Sequence, residues 1–128
     1  RLKDVVSCES PYSNVYLGQR TSPIRNISCD QDRKDADGEW IGILKLSEEG
    51  TRALREDMDA FYNEDPDLFR QANLVDLLSR MLEKGRLLEA HYCAGHWLDV
   101  DSAQDLEYAE QLHRTLKNLR GTASVSHS

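Results

Sequence analysis

Asp99 and Asp101 pose the first chemical question. They stand in the run Gly95-His96-Trp97-Leu98-Asp99-Val100-Asp101-Ser102, just ahead of a helix start. In an extended segment, residues two apart share a face, so both carboxylates point the same way. Two convergent carboxylates suit Mg²⁺, which keeps several waters and takes substrate phosphates as further ligands. The competing reading is that Asp101 helps Ser102 cap the helix while Asp99 is solvated. His91, Cys93, His96 and Asp99 are also donor types that zinc accepts. His91 and Cys93 fall inside an expected strand, however, and a zinc site asks for stricter pairing. Asp35-Ala36-Asp37-Gly38 imitates the middle of an EF-hand loop, but Arg33 and Leu44 stand where that loop needs Asp and Glu. A solvated loop is the expectation there. Trp40 and Trp97 have rings fit to stack on a base or cover a cationic head group, with ordinary core packing as the alternative. Asn26-Ile27-Ser28 is a glycosylation sequon by pattern.

The elements that must hold these residues come from periodicity. Asp4 to Cys8, Asn14 to Leu17 and Ile24 to Ile27 are short apolar-bearing runs separated by Ser, Pro and Gly, and read as strands. After the acidic loop Asp30 to Gly38, the run Glu39 to Leu46 reads as a mostly buried strand. Gly42 in its middle suggests a bulge or a close approach to the backbone. Ser47 is the expected N-cap of a helix with Glu48 and Glu49 in its first turn and Leu54, Met58 and Phe61 on its apolar face. Asn63 to Pro66 breaks that helix. Leu74, Leu77, Leu78, Met81 and Leu82 form the stripe of the next, with Gly85 as its C′ residue. Leu87 to Cys93 is a strand candidate. Ser102-Ala103-Gln104-Asp105 reads as a capping box opening a last helix, with Leu106, Ala109, Leu112 and Leu116 on one side. Gly121 to Ser128 reads as a frayed, disordered tail. Strands interspersed with helices predict an α/β domain, and tight joins among the early strands predict a mixed sheet.

Composition narrows the function. The 128 residues are enough for one small domain. The net charge of −7 disfavours sequence-independent nucleic-acid binding, which needs a basic surface. No apolar run approaches the roughly 20 residues of a membrane span, and no basic-then-apolar leader is visible. Cys8, Cys29 and Cys93 are odd in number, far apart and without a CxxC, which points to a reducing, cytoplasmic setting with each cysteine a small buried hydrophobe. There is no nucleophile elbow, Walker loop or dinucleotide fingerprint.

Three stretches together resemble a known group. Gly38-Glu39-Trp40-Ile41-Gly42-Ile43-Leu44-Lys45-Leu46-Ser47, then Val75-Asp76-Leu77-Leu78, then Gly95 to Asp101 with Asp105-Leu106 resemble the cytidylyltransferase-type nucleotidyltransferases of phosphonate metabolism. Such domains are often fused behind a phosphoenolpyruvate phosphomutase domain. The likeness runs from Gly38 to about Ala109. It implies a GT-A-like, Rossmann-like mixed sheet with flanking helices. It also implies a reaction that joins CMP from CTP to a small phosphonate, 2-aminoethylphosphonate or 2-hydroxyethylphosphonate, with release of pyrophosphate. Carried onto this chain, it makes Asp99 and Asp101 the catalytic Mg²⁺ ligands, the metal clamping the phosphates during in-line attack. The acceptor-side candidates are Glu39, Trp40, His96 and Trp97. Arg20 and Arg25 are the early cations able to reach a phosphate.

The Gly-rich loop with Arg and Lys that cradles the triphosphate in that group is absent here. Residues 1–120 therefore resemble the second half of such a domain. The chain is expected to need the missing N-terminal half, and to be inactive on CTP without it. A phosphocholine or sugar-phosphate nucleotidyltransferase is the alternative within the class. Outside it, the chain is a non-catalytic α/β piece whose sheet edge binds the rest of its own protein or a second copy.

Overall fold

The computed structural model describes residues 4–10, 21–29, 34–93 and 98–125, with side chains to residue 121. The strand expected over Asn14 to Leu17, together with Arg20, His96 and Trp97, lies outside them. The chain divides into two compact units, Leu2–Tyr92 and Cys93–Ser128.

The first unit is a curled four-stranded sheet with helices. Its strands are β1 (Val5–Cys8), β2 (Thr21–Ser28), β3 (Gly38–Glu39) and β4 (Glu89–His91), in the order β3-β1-β2-β4. Every described pairing is antiparallel. This bears out an α/β fold and departs from the mixed, Rossmann-like sheet expected above. A parallel pair needs one crossover that returns the chain in the same direction. Here three helices in series, α1 (Glu48–Glu64), α2 (Pro66–Gln71) and α3 (Leu74–Glu83), separate β3 from β4. They bring β4 in antiparallel to β2.

The run Glu39 to Leu46 is not a buried strand. The strand ends at Glu39, with one further bond from the Trp40 N–H to the Asp4 carbonyl at 2.8 Å, and Gly42, at φ +83°, then turns the chain. The Trp40 indole N–H donates to the Ile43 carbonyl at 2.9 Å across that turn, which leaves Ile43 73% exposed. A Cβ on Gly42 would meet nothing within 4 Å, so its conformation and not a close neighbour explains the glycine. The acidic loop is likewise more than solvated chain. The Asp37 carboxylate accepts from the Cys8 N–H at 2.7 Å, and the Asp37 N–H donates to the Val6 carbonyl.

Helix ends follow local chemistry. Ser47 Oγ accepts from the Gly50 N–H at 3.0 Å. Asp65 closes α1 and caps α2, its carboxylate accepting from the Leu68 N–H, with Pro66 in the first turn. A full capping box joins Asn73 and Asp76 at the start of α3. The core gathers Val6, Cys8 and Ile27 from the sheet, Phe61 from α1, and Val75, Leu77, Leu78 and Met81 from α3. Val75 takes the buried position expected of Leu74, and on α1 the exposed Met58 yields its place to Asp57. Of the cysteines only Cys8 is buried; Cys29 and Cys93 are exposed.

Burying Asp57 is made tolerable by the end of α3. Gly85, at φ +84°, lets the chain close with the Arg86 N–H on the Met81 carbonyl and the Gly85 N–H on the Leu82 carbonyl, both at 3.0 Å. That pair of bonds is a Schellman motif. It presents Arg86, whose guanidinium donates to both Asp57 carboxylate oxygens at 3.0 and 3.1 Å. Lys84 Nζ stands 3.9 Å away, and Asp57 is 5% exposed. The Arg86 hydrogen bonds, helped by its charge and that of Lys84, hold the Asp57 carboxyl below the usual range against the opposing effect of burial.

A carboxylate lowered in the folded state contributes stability that is present above its unfolded pKa of about 3.9. That contribution is lost as pH falls through the folded value. Asp57→Asn should therefore lower the free energy of unfolding in urea by about 1.5–3 kcal/mol at pH 7. The gap to wild type should narrow below about pH 4. A gap that stays unchanged down to pH 2 would remove the ion pair as its source.

The second unit is built on α4 (Ala103–Val125). The helix carries on past Gly121, so residues 121–125 are helical where a tail was expected.

Candidate functional site

The start of α4 shows how Asp99 and Asp101 are held. Ser102 Oγ accepts from the Asp105 N–H at 3.1 Å and donates to the Asp105 carboxylate at 2.8 Å. The same Asp105 oxygen accepts from the Asp101 N–H at 3.2 Å. The Leu106 N–H donates to the Ser102 carbonyl at 3.2 Å, the first helical bond. Capping is thus done by Ser102 and Asp105, as the sequence pattern predicted. The Ser102 hydroxyl first, and then the Asp101 N–H, lower the Asp105 carboxyl, and a negative charge in the first turn complements the helix dipole.

Asp101 therefore lends this cap its backbone and not its carboxylate. The Asp99 and Asp101 side chains are both exposed. Neither carboxylate takes a hydrogen bond or ion pair among the described residues. Two carboxylates next to open solvent match the way Mg²⁺ is held, by one or two protein oxygens together with waters and phosphates. Among the described residues no three His, Cys, Asp or Glu side chains converge. Such a closed cage is what zinc would need, and Mg²⁺ would not.

Of the remaining candidates, Glu39, Trp40 and Arg25 belong to the first unit. Glu39 is half-buried at the end of β3, opposite Val5 of β1. Trp40 is half-buried against the core, with its N–H used within its own loop. Arg25 sits at an irregularity of the β1–β2 ladder. Ser7 pairs with Asn26 and Cys8 with Ile24, leaving Arg25 as the extra residue. It is exposed there, as bulged residues often are when a ladder re-aims a side chain. Trp40 packs against the core, while His96 and Trp97 lie outside the described residues.

Two polar residues that sequence reasoning passed over lie on the same sheet face as Glu39. Ser7 and Asn26 are register partners on β1 and β2. The signal was present in the alternation of Val6-Ser7-Cys8 and of Asn26-Ile27, in which each polar residue flanks a core one. Asn26 was set aside as a sequon. Its side-chain oxygen is closed to solvent in the middle of a paired strand, a poor position for a glycosylation acceptor. Sequence reasoning also missed a half-open recess of about 430 Å³ along α4, lined by His113, Leu116, Lys117 and Arg120. None of the predicted site residues lines it.

Set against known proteins, the chain matches no family model, no curated protein and no solved structure. Among the described residues, no helix is long and apolar enough to cross a membrane.

Proposed function

We propose that this chain is the metal- and acceptor-binding portion of a nucleotidyltransferase. The enzyme would transfer CMP from CTP to a small phosphonate and release pyrophosphate, in phosphonate biosynthesis. The fold of the complete domain would be GT-A-like, with this chain as its second half. Motif resemblance suggests the class. The observation that carries the reading is the state of Asp99 and Asp101: two exposed carboxylates beside a helix cap that uses neither.

When bound, Mg²⁺ would neutralise charge on the transferring phosphoryl group. The chain's own contribution is orientation. The Ser102–Asp105 cap anchors the backbone at Asp101, so a carboxylate ligand there is presented from a fixed helix end and not from a free loop. Exposure leaves room for phosphate oxygens beside both carboxylates.

Metal binding can be read on this chain without activity. Mn²⁺ added to isotope-labelled protein should broaden the amide signals around Asp99 to Ser102 first, and Mg²⁺ should compete that broadening away. Asp99→Asn with Asp101→Asn should abolish the effect while leaving the α4 signals in place. Broadening that survives the double substitution, or that centres elsewhere, would overturn the assignment.

A further inference from the structure

Charge is sorted along α4. Its first half carries Asp105, Glu107 and Glu110, and its second half Arg114, Lys117 and Arg120. No Asp or Glu follows Glu110, although the whole chain has a net charge of −7. Two local causes fall short of explaining this. A helix dipole is complemented only within the first and last turns, whereas Glu110 and Lys117 stand mid-helix. Ion pairs along one helix need partners three or four residues apart. Arg114 has such a partner, reaching Glu110 at 3.8 Å. Lys117 and Arg120 have no carboxylate at that spacing on either side. An apolar seam runs beside these charges. Ala109, Leu112, Leu116 and Leu119 follow at intervals of three, four and three, the a/d spacing of a coiled coil. The first three are half-buried, and Leu119 is 60% exposed. In the basic half the seam enters the recess, which Leu116 lines together with His113, Lys117 and Arg120.

We propose that this seam is a self-association surface, on which α4 packs antiparallel against α4 of a second copy. The occupant follows from the charge. An acidic partner would suit the second half and be repelled by the first, and a basic partner would do the reverse. An antiparallel copy meets each half with its opposite at once, while a parallel copy sets like against like. Two-fold closure makes the contact self-complementary, so every pairing occurs twice. Packing fixes the register. With Leu112 level with Leu116 of the second copy, Leu119 meets its Ala109, a large side chain against a small one. Lys117 and Arg120 then stand level with its Glu110 and Glu107, and its Leu112 seats in the recess. A slide of one heptad would instead set Leu116 against Asp105 and Leu119 against Ser102, two polar residues already engaged in the helix cap. The helix is roughly 35 Å long and its charges are exposed, so the association is weak and sensitive to salt. It stands independently of the nucleotidyltransferase reading.

Sedimentation of the full chain should show a monomer–dimer equilibrium that moves toward monomer as NaCl rises from about 50 to about 500 mM. Lys117→Glu with Arg120→Glu should weaken the dimer about ten- to a hundredfold, and so, separately, should Glu107→Lys with Glu110→Lys. All four positions are exposed, so the fold should tolerate the reversals. An equimolar mixture of the two variants should regain a dimer of wild-type strength, which two misfolded chains would not do. Direction is read from wild-type dimers mixed from labelled and unlabelled chains, in which intermolecular NOEs should join Leu119 to Ala109. A wild-type chain that stays monomeric at millimolar concentration would overturn the proposal. So would variants that dimerise as wild type does, or a mixture that stays monomeric. Leu119–Leu119 contacts in place of Leu119–Ala109, or a dimer whose contacts fall outside α4, would overturn it as well.

Discussion

Asp101→Asn should lower pyrophosphate release from CTP by about 10²- to 10³-fold in an enzyme that holds this chain together with a triphosphate-binding half. Asp99→Asn should do the same. The change removes one negative charge and leaves the size of the side chain intact, so loss of metal clamping is the direct consequence. Stability should hardly move, because Ser102 and Asp105 make the helix cap and Asp101 contributes only its N–H. The separating control is Ser102→Ala. It removes the Ser102 half of the cap and should cost about 1 kcal/mol of stability, while Mn²⁺ binding weakens far less than in either Asp variant, because Asp105 still accepts from the Asp101 N–H. A fully active Asp101→Asn enzyme would strike that residue from the metal site. A variant that loses activity and helix α4 together would make Asp101 structural instead.

Phe61→Ala should be the most destabilising single change in the first unit, at about 3–5 kcal/mol by urea unfolding. Phe61 is 2% exposed and sits where α1, α2 and α3 meet. Its ring stands edge-on to Phe69 with centroids 5.4 Å apart, and the Arg80 guanidinium lies over it at 4.0 Å. Arg80 is also tied to Glu64 of α1. Truncation therefore opens a cavity and strips an aromatic pair and a cation of their partner at once. Small domains have total stabilities of about 5–15 kcal/mol, so this loss is a large share of the whole. Phe61→Leu should recover most of it, because volume is largely kept. A loss below about 1 kcal/mol for Phe61→Ala would mean that the junction is not close-packed.

Several features were legible in the residues because their causes are local. Ser47, Gly85 and the Ser102–Asp105 box mark helix ends through bonds that span three to five residues, and such bonds form wherever the chain turns helical. The α3 stripe was legible because Leu77, Leu78 and Met81 recur with the helical period. The Asp-x-Asp pattern was visible as a pattern. That its carboxylates take no part in the cap was not, since the same letters allow Asp101 to cap.

Tertiary structure decided the rest. Only the docking of Arg86 on α1, 29 residues away, explains why Asp57 and not Met58 faces inward. The Tyr92 hydroxyl, donating to the Ser10 carbonyl across 82 residues at 2.7 Å, ties the end of β4 back to β1. Periodicity carries no information about such a bond. The apolar run after Glu39 read as a strand because strands and irregular apolar loops share composition; the +83° φ of Gly42 and the Trp40–Ile43 bond broke the pairing there. The pairing of Ser7 with Asn26 depends on register, and register is set by which faces the core accepts. The sequence determined the helix ends and the core-forming periodicities, for those causes lie within a few residues of one another. Strand direction, the buried Asp57 and the polar sheet face were left to the fold, because each depends on groups that meet only when distant segments pack.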